Sequence, residues 1–459
     1  MRRYLQRHGH DEAGRITVRL WRGEWWRYFE GRYIRVDAAT IHNDLTAAIK
    51  WIFDHEPVTD QWHRVLRVNR GTITNTLSAL ASHVEVPEDL ESPAWIGEGD
   101  DRQFFSMTNA LVDREGLLEG RVVLEGHTPE WFSRVQFPYP FEEGATCAGW
   151  VAFLEQMLEG DQDRIALLQE FFGYCLIHDT RQHKFLVLEG EGANGKSVAL
   201  EVLTQLVGPD NVSNVPLEAF NGRFQLTSTI GKLVNIATEV GDMDRPSEAI
   251  LKQFTAGDRM HFDRKHVAPI EAYPTARLVL AANNRPRFSD GSGGLWRRML
   301  IIPFRVVIPL ERQDHDLGSK LAAELPGIFN WAVQGLRRLQ EQGRFTVPRV
   351  SQEALDDYRL ESNPARVFLT DYCREEVGAI TLSSNLYSSY VMWCGSNGYP
   401  PENASVFGKE VFRTFRNLKK TRLGTRAGRV HAYDGLAQHP TCPVISHFSQ
   451  IGGTEIEEK

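Results

Sequence analysis

The sequence predicts an α/β protein whose core is a parallel sheet with flanking helices, preceded by an α+β and helical region and followed by a smaller basic domain. Three observations support this prediction. A glycine-rich turn in mid-chain joins a short apolar run to a helical pattern, two later apolar runs each end at a polar residue, and basic residues concentrate between 405 and 431. Because the carboxyl ends of parallel strands meet around a ligand, this order predicts a nucleotide-binding core.

Length and composition restrict the class of protein. A chain of 459 residues with 42% hydrophobic and 24% charged residues is typical of a soluble globular protein of about three domains. The net charge of −8 argues against a protein that coats nucleic acid over its whole surface, so we expect any contact with nucleic acid to come from local basic patches. The five cysteines contain no C-x-x-C pair, which excludes a zinc ribbon and argues against a disulfide framework. Neither an 18-residue apolar run nor a secretory h-region occurs, so we expect a cytoplasmic protein without membrane contact.

Residues 1–145 are rich in aromatic side chains, and eight of the eleven tryptophans occur by residue 150. The segment 25–34 predicts short strands joined by a glycine turn, and 41–53 predicts a helix, which together indicate a small α+β module. Aromatic residues among arginines suit a stacking platform for single-stranded nucleic acid, but a buried aromatic core is the favoured interpretation. No chemistry is assigned to this module.

Residues 146–181 are predicted to form a helical collar before the nucleotide-binding core. Apolar residues recur at helical spacing from Trp150 to Leu158 and from Ile165 to Leu176, and Gly160-Asp161 separates the two helices. Such stripes favour intramolecular core, unless the protein oligomerises through them.

The glycine-rich turn matches G-x-x-x-x-G-K-[ST] between a buried strand at 185–188 and a helix at 198–206. Backbone N–H groups of such a turn converge on phosphate at the helix N-terminus, Lys196 reaches the β- and γ-phosphates, and Ser197 ligates Mg²⁺. The alternative is a glycine-rich turn with an incidental lysine. The predicted nucleotide-binding residues are Gly190, Gly192, Ala193, Asn194, Gly195, Lys196, Ser197 and Val198.

Two polar residues follow the later strands of the predicted core, which runs from 182 to 345. Glu239 ends the apolar run 233–238, and Asn283 ends the run 277–282. We expect Glu239 to hold Mg²⁺ through water or to polarise the attacking water, and Asn283 to sense the γ-phosphate or orient that water. Either residue alone is common in turns, but Glu239 follows Lys196 by 43 residues and Asn283 follows Glu239 by 44, and this order makes them a coherent set.

Basic residues flank Asn283 on both sides. The segment 257–267 predicts a hairpin with Arg264, Lys265 and His266 at its tip; a solvated basic turn is the alternative. Downstream, Arg297 and Arg298 enter another buried strand, too far round the sheet to serve their own phosphate but placed to reach a neighbouring subunit's nucleotide. A structural ion pair is the alternative for this arginine pair.

These motifs resemble those of superfamily 3 helicases. The motifs occur in an order similar to that of the phage, plasmid and poxvirus primase-helicase branch of these AAA+ proteins. They are Gly190 to Ser197, a lone Glu239, Gly257-Asp258, Lys265-His266, Asn283-Asn284-Arg285-Pro286 and Trp296-Arg297-Arg298. The resemblance spans about 60 to 440 and includes the collar pattern at 168–174. It implies a homo-hexameric ring that hydrolyses ATP with Mg²⁺ between subunits and pulls single-stranded DNA through its pore in the 3′-to-5′ direction.

The resemblance also implies roles for individual residues. Lys196 and Ser197 would bind phosphate and Mg²⁺, Glu239 would be the Walker B acid and Asn283 sensor 1. Arg297 would be the arginine finger with Arg298 as its alternate, while Lys265 and His266 would grip the DNA backbone.

Two departures from the family pattern matter. Thr238 stands where many members carry a second acid, so the division between metal tether and catalytic base at Glu239 stays open. Residues 1–145 show neither a zinc-ligand set nor an acidic metal triad, so no primase activity is predicted and a separate primase or polymerase is an expected partner.

The C-terminal domain is predicted at 346–440, before a polar tail at 441–459. Helical patterns at 365–376 and 383–394 precede a stretch from 405 to 431 that holds eight basic residues and one acid, a local net charge of +7. This stretch resembles a winged helix, with a recognition helix at 407–418 and a wing hairpin at 422–433 that would bind duplex or forked DNA. A solvated basic helix is the alternative. The expected DNA contacts are Lys409, Arg413, Arg416, Lys419, Lys420 and Arg422.

Together these features predict an ATP-dependent replicative DNA helicase of a phage or mobile element, acting in a bacterial host cell. A DNA-binding AAA+ ATPase switch, such as an initiator, loader or defence assembly without processive unwinding, is the alternative. A small-molecule kinase would leave the basic patch, the hairpin and the arginine pair without a role.

Overall fold

The structure is a computed structural model of the chain, and it describes residues 4–55, 69–97, 101–222, 224–238, 248–264, 267–283, 288, 294–314, 316–423 and 430–442. The chain divides into two compact units, Met1–Pro286 with Ser292–Gln352 and Arg287–Gly291 with Glu353–Lys459. The finer domain limits expected from the sequence stay predictions. No helix in the described ranges is long and apolar enough to cross a membrane.

The larger unit begins with a small α+β module. Its antiparallel three-stranded sheet has the order β1-β2-β3, and the turn at Glu30-Gly31 takes positive φ values of 45° and 95°. A glycine at the second of these positions avoids the steric cost of that conformation. The elements are β1 (Val18–Trp21), β2 (Glu24–Phe29), β3 (Arg32–Val36), α1 (Ala38–His55) and α2 (Arg70–Val84).

Aromatic side chains of this module form a core. Trp21, Trp26, Tyr33 and Phe132 are all buried, and the ring centroids of Trp21 and Phe132 lie 5.3 Å apart. Because these rings face one another inside the module, the interpretation as core holds for them. Short elements complete this region: β4 (Ala94–Trp95), β5 (Phe104–Ser106), β6 (Leu111–Asp113), α3 (Arg114–Leu118), β7 (Leu124–Glu125) and β8 (Trp131–Phe132).

The collar is built from two helices, α4 (Ala148–Met157) and α5 (Gln162–Tyr174). Their apolar stripes join the same buried cluster as the sheet described next, as expected of intramolecular core. Helix α5 approaches a later helix, Leu325–Gln342, very closely: a Cβ atom at Gly173 would lie 2.3 Å from the carbonyl oxygen of Ala332. Glycine therefore permits this backbone contact.

A buried carboxylate locks the same helix pair together. Glu170 is fully buried, and its oxygens accept hydrogen bonds from Arg338 Nε and from the backbone and hydroxyl of Thr346, each at 2.7 Å. The sequence pattern at 168–174 thus has a structural explanation, because Glu170 and Gly173 both fasten the collar to the core.

The centre of the larger unit is a five-stranded parallel sheet with the order β10-β11-β14-β9-β15. Apolar runs predicted from the sequence form its three central strands, and each is buried on both faces, as is typical of parallel sheets. The strands are β9 (Phe185–Glu189), β10 (Val212–Ser213), β11 (Val234–Thr238), β14 (Arg277–Ala282) and β15 (Met299–Pro303).

Helices and a separate hairpin accompany this sheet. The hairpin pairs β12 (Met260–Arg264) with β13 (Val267–Ala272) in antiparallel register, outside the five-stranded sheet. The helices are α6 (Lys196–Val207), α7 (Glu248–Ala256), α8 (Leu317–Ala322) and α9 (Leu325–Gln342), and α10 (Arg349–Glu361) includes the boundary between the two units. Short 3₁₀ turns occur at Pro209–Asn211, Leu217–Asn221, Gln225–Thr229, Trp296–Arg298 and Leu310–Arg312.

The smaller unit follows an α-β-α-α-β-β order after α10. Its elements are α11 (Pro364–Tyr372), β16 (Cys373–Leu382), α12 (Ser383–Asn397), α13 (Ala404–Thr414), β17 (Lys419–Leu423) and β18 (Val430–Gln438). The three strands form one antiparallel sheet in the order β16-β18-β17. The helix predicted at 365–376 is wrong beyond Tyr372, because residues 373–375 pair with β18 and this pairing overrides local helix preference.

Candidate nucleotide site and basic surface

The glycine-rich segment forms the turn from β9 into α6. Gly190 and Gly195 take φ values of 157° and 85°, and Ala193 takes 59°. Helix α6 begins at Lys196, so the free N–H groups of its first turn and its positive dipole end point towards the loop. The structure therefore has the strand–turn–helix geometry that the motif predicts; its use as an anion site stays a prediction.

Lys196 lies inside this loop and is 5% exposed. Its Nζ donates to the carbonyls of Gly190 at 2.6 Å and Glu191 at 3.0 Å, and to Oδ1 of Asn194 at 2.9 Å. Burial lowers the pKa of Lys196 below its usual value. Three loop acceptors thus hold the ammonium group beside the helix N-terminus, where a phosphate group could exchange with one or more of them.

The loop is fastened to its surroundings on two sides. Asn194 Nδ2 donates to the carbonyl of Phe304 at 3.1 Å, and the N–H of Ile308 donates to the carbonyl of Ala193 at 2.9 Å. On the other side, a Cβ atom at Gly195 would lie 2.9 Å from Met157 Sδ and 3.0 Å from a ring carbon of Phe153. The collar helix α4 therefore packs directly on the loop.

These contacts reveal positioning roles that the motif does not signal, both for Asn194, which is among the predicted nucleotide-binding residues, and for two residues of the collar. Asn194 occupies a variable position of the motif, yet its side chain bridges Lys196 and the segment after β15. Met157 and Phe153 look like ordinary collar core in the sequence. Only the fold shows that they pack against the loop at Gly195.

Asn283 lies at the same edge of the sheet as the loop. Its strand, β14, pairs with β9 so that Ala282 is beside Glu189, and the N–H of Gly190 donates to the carbonyl of Ala282 at 3.2 Å. Asn283 is the next residue and is exposed. The structure thus brings Asn283 and the phosphate loop together.

The strand that leads to Glu239 reaches this edge as well. Thr238 is exposed and pairs with Ala281 of β14, which places β11 one strand further from β9. Glu239 itself lies outside the described residues, so its role as metal tether or base stays a prediction.

Arg297 and Arg298 lie at the opposite edge. They form a 3₁₀ turn directly before β15, whose parallel pairing with β9 sets Met299 beside Phe185 and Pro303 beside Glu189. The phosphate loop follows Glu189, four residue steps or about 13 Å further along the strand. Neither arginine is therefore near the loop of its own chain.

The two arginines differ in their surroundings. Arg297 is exposed, whereas Arg298 is partly buried and donates from Nη1 to the carbonyl of Gly294 at 2.7 Å. Arg298 also contributes to lowering the pKa of Lys184, after the larger effect of burial. These contacts favour a structural part for Arg298 and leave Arg297 as the arginine presented to solvent.

The predicted basic hairpin exists, but its tip is described only at Arg264. The Arg264 side chain is 16% exposed and lies 3.3 Å from Oε1 of Glu24 in the N-terminal module. Lys265 and His266 lie outside the described residues, so the DNA-gripping role of this tip stays a prediction.

The basic surface of the smaller unit involves α13, β17 and the residues between them. The six expected DNA-contact residues are all exposed. The single acid of this stretch, Glu410, is instead buried and lies 2.8 Å from Arg366 on α11 and 3.4 Å from Arg413. Glu410 is thus shielded from solvent, although its ion pairs offset part of the charge of Arg366 and Arg413. The positive residues of the exposed surface are Lys409, Arg413, Arg416, Lys419, Lys420 and Arg422.

Two family models match parts of the chain. Residues 188–298 match a family described as "Family of unknown function (DUF5906)", and this range contains the phosphate loop, Asn283 and both arginines. Residues 362–440 match the RFX DNA-binding domain, which corresponds to most of the smaller unit. The chain therefore carries a segment similar to a known DNA-binding domain.

Parts of the chain are also similar to individual proteins. A protein of Acanthamoeba polyphaga mimivirus named "Putative helicase L207/L206" is 23% identical over 50% of this chain and 26% of its own length. DNA-binding protein RFX7 of Xenopus laevis is 30% identical over 20% of this chain and 6% of its own length. The uncharacterized mitochondrial protein ymf20 of Marchantia polymorpha is 30% identical over 23% of this chain and 69% of its own length. The chain thus spans about a quarter or less of the helicase-named and RFX-named relatives.

Among solved structures, the NrS-1 C-terminal region is similar over nearly the whole chain. Two of its apo structures cover 91% of this chain and 95–97% of their own, at 10% identity and TM-scores of 0.48 and 0.49. A likeness at this score carries no conclusion about function.

Proposed function

We propose a function from the site itself, because this chain belongs to the family of the liverwort mitochondrial protein ymf20, whose name states no activity. The proposal is an ATP-dependent DNA helicase of the superfamily 3, AAA+ type, encoded by a phage or mobile element. It would work as a ring, a hexamer in that superfamily, that hydrolyses Mg²⁺-bound ATP between subunits and translocates 3′-to-5′ on single-stranded DNA inside the host cell.

One observation carries the proposal: the phosphate loop and an exposed arginine lie at opposite edges of the same sheet. Lys196 and Asn283 are together at the carboxyl edge, while Arg297 is at the amino edge of the neighbouring strand. A site of this kind is complete only when a second copy presents its arginine to the first copy's nucleotide. Head-to-tail contacts of that type generate rings when the rotation closes.

Within the site, the residues have separable tasks. Lys196 and the first turn of α6 would bind the β- and γ-phosphates, and Ser197 would ligate Mg²⁺ when the metal is bound. Asn283 would orient the attacking water or sense the γ-phosphate. Arg297 of the neighbouring copy would stabilise the charge that develops on the transferred phosphoryl group, a task that arginine performs well because it stays ionised.

The smaller unit would supply the contact with duplex or forked DNA. The match to the RFX DNA-binding domain supports this role, as does the exposed positive surface. The α-β-α-α-β-β order with a three-stranded antiparallel sheet supports a winged-helix interpretation, in which α13 is the recognition helix and β17–β18 the wing.

A test of the DNA contact uses two exposed residues of β17. Exchanging Lys420 and Arg422 for glutamine should weaken binding to a labelled DNA duplex, and the salt dependence of log K should fall by about 0.9 for each phosphate that is no longer neutralised. Arg374→Gln is the matched control, because Arg374 lies on β16 of the same sheet and already pairs with Glu376 at 2.8 Å. Equal weakening in this control would remove the specific role from β17.

The central test combines ATPase and unwinding assays on the full chain. We expect ATP hydrolysis to rise on addition of single-stranded DNA and a forked substrate to be unwound processively. Lys196→Ala should abolish nucleotide binding or turnover, and thermal unfolding of this variant should show that the fold is retained. ATPase activity that does not respond to DNA would refute the proposal.

The second candidate is a DNA-binding ATPase switch, such as an initiator, loader or defence assembly. The observation that favours it is the likeness of residues 362–440 to the RFX DNA-binding domain, together with the similarity of part of the chain to a protein named MHC class II regulatory factor RFX1. Duplex-stimulated ATPase without unwinding of the fork, under conditions in which the ring assembles, would select this candidate over the helicase.

A further inference from the structure

A basic cavity lies between the N-terminal sheet and the core of the larger unit. Its volume is about 460 Å³, and strands β2 and β3, the 3₁₀ turn at Gln225–Thr229 and the hairpin β12–β13 contribute to its lining. This volume is within the range of ligand sites. The phosphate loop does not contribute to the described lining of the cavity. The charged lining residues are Glu24, Arg32, Arg35, Arg134, Asp210, Lys232 and Arg264, five cations and two acids.

The two acids are already engaged by their neighbours. Nη2 of Arg32 lies 2.8 Å from Oδ2 of Asp210, and Nζ of Lys232 donates a hydrogen bond to the backbone carbonyl of Asp210. Oε1 of Glu24 lies 3.4 Å from Nη1 of Arg35 and 3.3 Å from Nη1 of Arg264. The lining thus keeps a net charge of +3 after both acids are counted.

Arg134 is the unusual member of this set. Its guanidinium carbon lies 5.2 Å from the ring centroid of Trp21 and 5.4 Å from that of Trp26. In the part of the chain that the structure describes, no carboxylate or carbonyl accepts a hydrogen bond from this side chain, and its Nε is buried without a partner. Burial lowers the pKa of Arg134 to about 10, with Arg22 adding to the effect. Glu24 and Glu91 oppose this lowering through space, but in the described residues neither forms an ion pair with the guanidinium, which lies against two aromatic rings.

The backbone makes room for this guanidinium. A Cβ atom at Gly231 would clash with Nη2 of Arg134, and Gly231 has a φ of 71°. Gly231 thus provides space that any larger residue would fill. The guanidinium is thus accommodated without a directly bonded carboxylate, which leaves its hydrogen-bonding capacity for an anion.

We infer that this cavity binds a phosphodiester group of single-stranded DNA, with Arg134 as its central contact. An arginine fork matches the geometry of phosphate oxygens. Trp26 and Tyr33 are only 7% and 1% exposed, so neither offers a ring face for a base, and the contact is with the backbone. The choice of DNA as the source of the phosphate rests on the proposed function; the positive charge of the cavity does not.

The inference gives the N-terminal module a part in the motor. The cavity is lined on one side by β2 and β3 of this module and on another by the hairpin that carries Arg264 and Ile270. A strand held there would contact the module and the hairpin together. The aromatic core of the module would then act indirectly, by fixing Arg134 instead of stacking on bases.

The experiment measures binding of fluorescein-labelled oligo(dT) to the full chain by anisotropy, at several salt concentrations. Arg134→Gln should weaken binding by about tenfold or more, and the slope of log K against log salt should fall by about 0.7, the value for one single-strand phosphate contact. Arg35→Gln should act in the same direction, and its side chain is 68% exposed, so this variant tests the cavity without a risk to the core.

Arg22→Gln is the matched control. Its guanidinium carbon lies 4.4 Å from the same Trp21 ring, but Arg22 donates to Glu88 and Glu91 and does not line the cavity. We expect this variant to bind oligo(dT) as the wild type does. If Arg22→Gln weakens binding as much as Arg134→Gln, the effect comes from the aromatic core and the inference is overturned.

Further outcomes separate this inference from the proposed function. Unchanged affinity and salt slope in folded Arg134→Gln and Arg35→Gln would overturn the inference while leaving a DNA-stimulated ATPase intact. If Arg134→Gln weakens binding of dTMP but leaves oligo(dT) binding unchanged, the cavity takes free nucleotide and the inference is again overturned. A wild-type chain without DNA-stimulated ATPase would refute the proposed function instead.

Discussion

Replacing Arg297 with alanine tests whether the nucleotide site is completed by a neighbouring subunit. The sheet register puts Met299 beside Phe185, so Arg297 lies at least four residue steps, about 13 Å, from the level of Glu189 where the phosphate loop begins. A side chain at that edge cannot reach the nucleotide of its own chain. If Arg297 is an arginine finger, Arg297→Ala should lower ATP turnover on the order of a thousandfold or more.

The decisive assay mixes two inactive variants. Lys196→Ala lacks a working phosphate loop but keeps Arg297, and Arg297→Ala keeps the loop. In a random equimolar mixture of a head-to-tail ring, roughly a quarter of the interfaces combine the intact loop of one variant with the intact arginine of the other. ATPase activity should therefore return to about that fraction of the wild-type rate per interface.

Two results would refute this reasoning. Wild-type turnover in Arg297→Ala alone would end the finger assignment. Crosslinking of the two tagged variants verifies that they assemble together. If ATPase activity then does not recover in the mixture, Arg297 acts within its own chain or serves only to stabilise the fold. Arg298→Ala is the control, because the bond from Arg298 to the carbonyl of Gly294 predicts a decrease in thermal stability and no complementation.

Three more predictions follow from the site and its supports. Gly195→Ala should weaken binding of a fluorescent ATP analogue and lower the melting temperature, because residue 195 has a φ of 85° and faces the collar. Gly126→Ala is the control, because a Cβ there would meet nothing within 4 Å and the residue lies outside the loop. Glu239→Gln should retain ATP binding but block hydrolysis; normal turnover in a steady-state assay would contradict the Walker B assignment. Glu170→Gln should lower the free energy of unfolding by about 3 kcal/mol, because it removes the buried carboxylate that pairs with Arg338. Glu155→Gln, on the exposed face of α4, is the control and should leave that free energy unchanged. Urea unfolding measures both variants.

The sequence predicts much of the core because local signals and the fold agree there. Strand β14 has the expected bounds, and β9 and β11 differ from theirs by one residue, since each apolar run is bounded by polar or turn residues. The phosphate loop is also predictable, because its geometry depends on residues that are adjacent in the chain. Its partner Asn283 is a weaker prediction, since only strand pairing brings it to the loop.

The features that could not be predicted depend on contacts between distant residues. Nothing local shows that Met157 touches the phosphate loop or that Glu410 is buried against Arg366, because helical spacing reveals an apolar face but not what covers it. The start of β16 at Cys373 is hidden for the same reason: its stability comes from pairing with residues about sixty positions later in the chain. The basic cavity is equally hidden, since Arg134 and Gly231 are far apart in sequence.

On the proposed function, the placement of the collar would link binding of nucleotide to the rest of the unit. Helix α4 touches Gly195 of the phosphate loop, and α5 is fastened to α9 through Glu170 and the close approach at Gly173. A shift of the loop on hydrolysis would therefore be transmitted to packed helices, which move as rigid elements because protein interiors resist compression. The opposite edge of the same sheet carries Arg297. On the proposed function, one rigid sheet thus joins the site where a subunit binds ATP to the arginine with which it acts on its neighbour, so that each hydrolysis event affects both sides of the subunit.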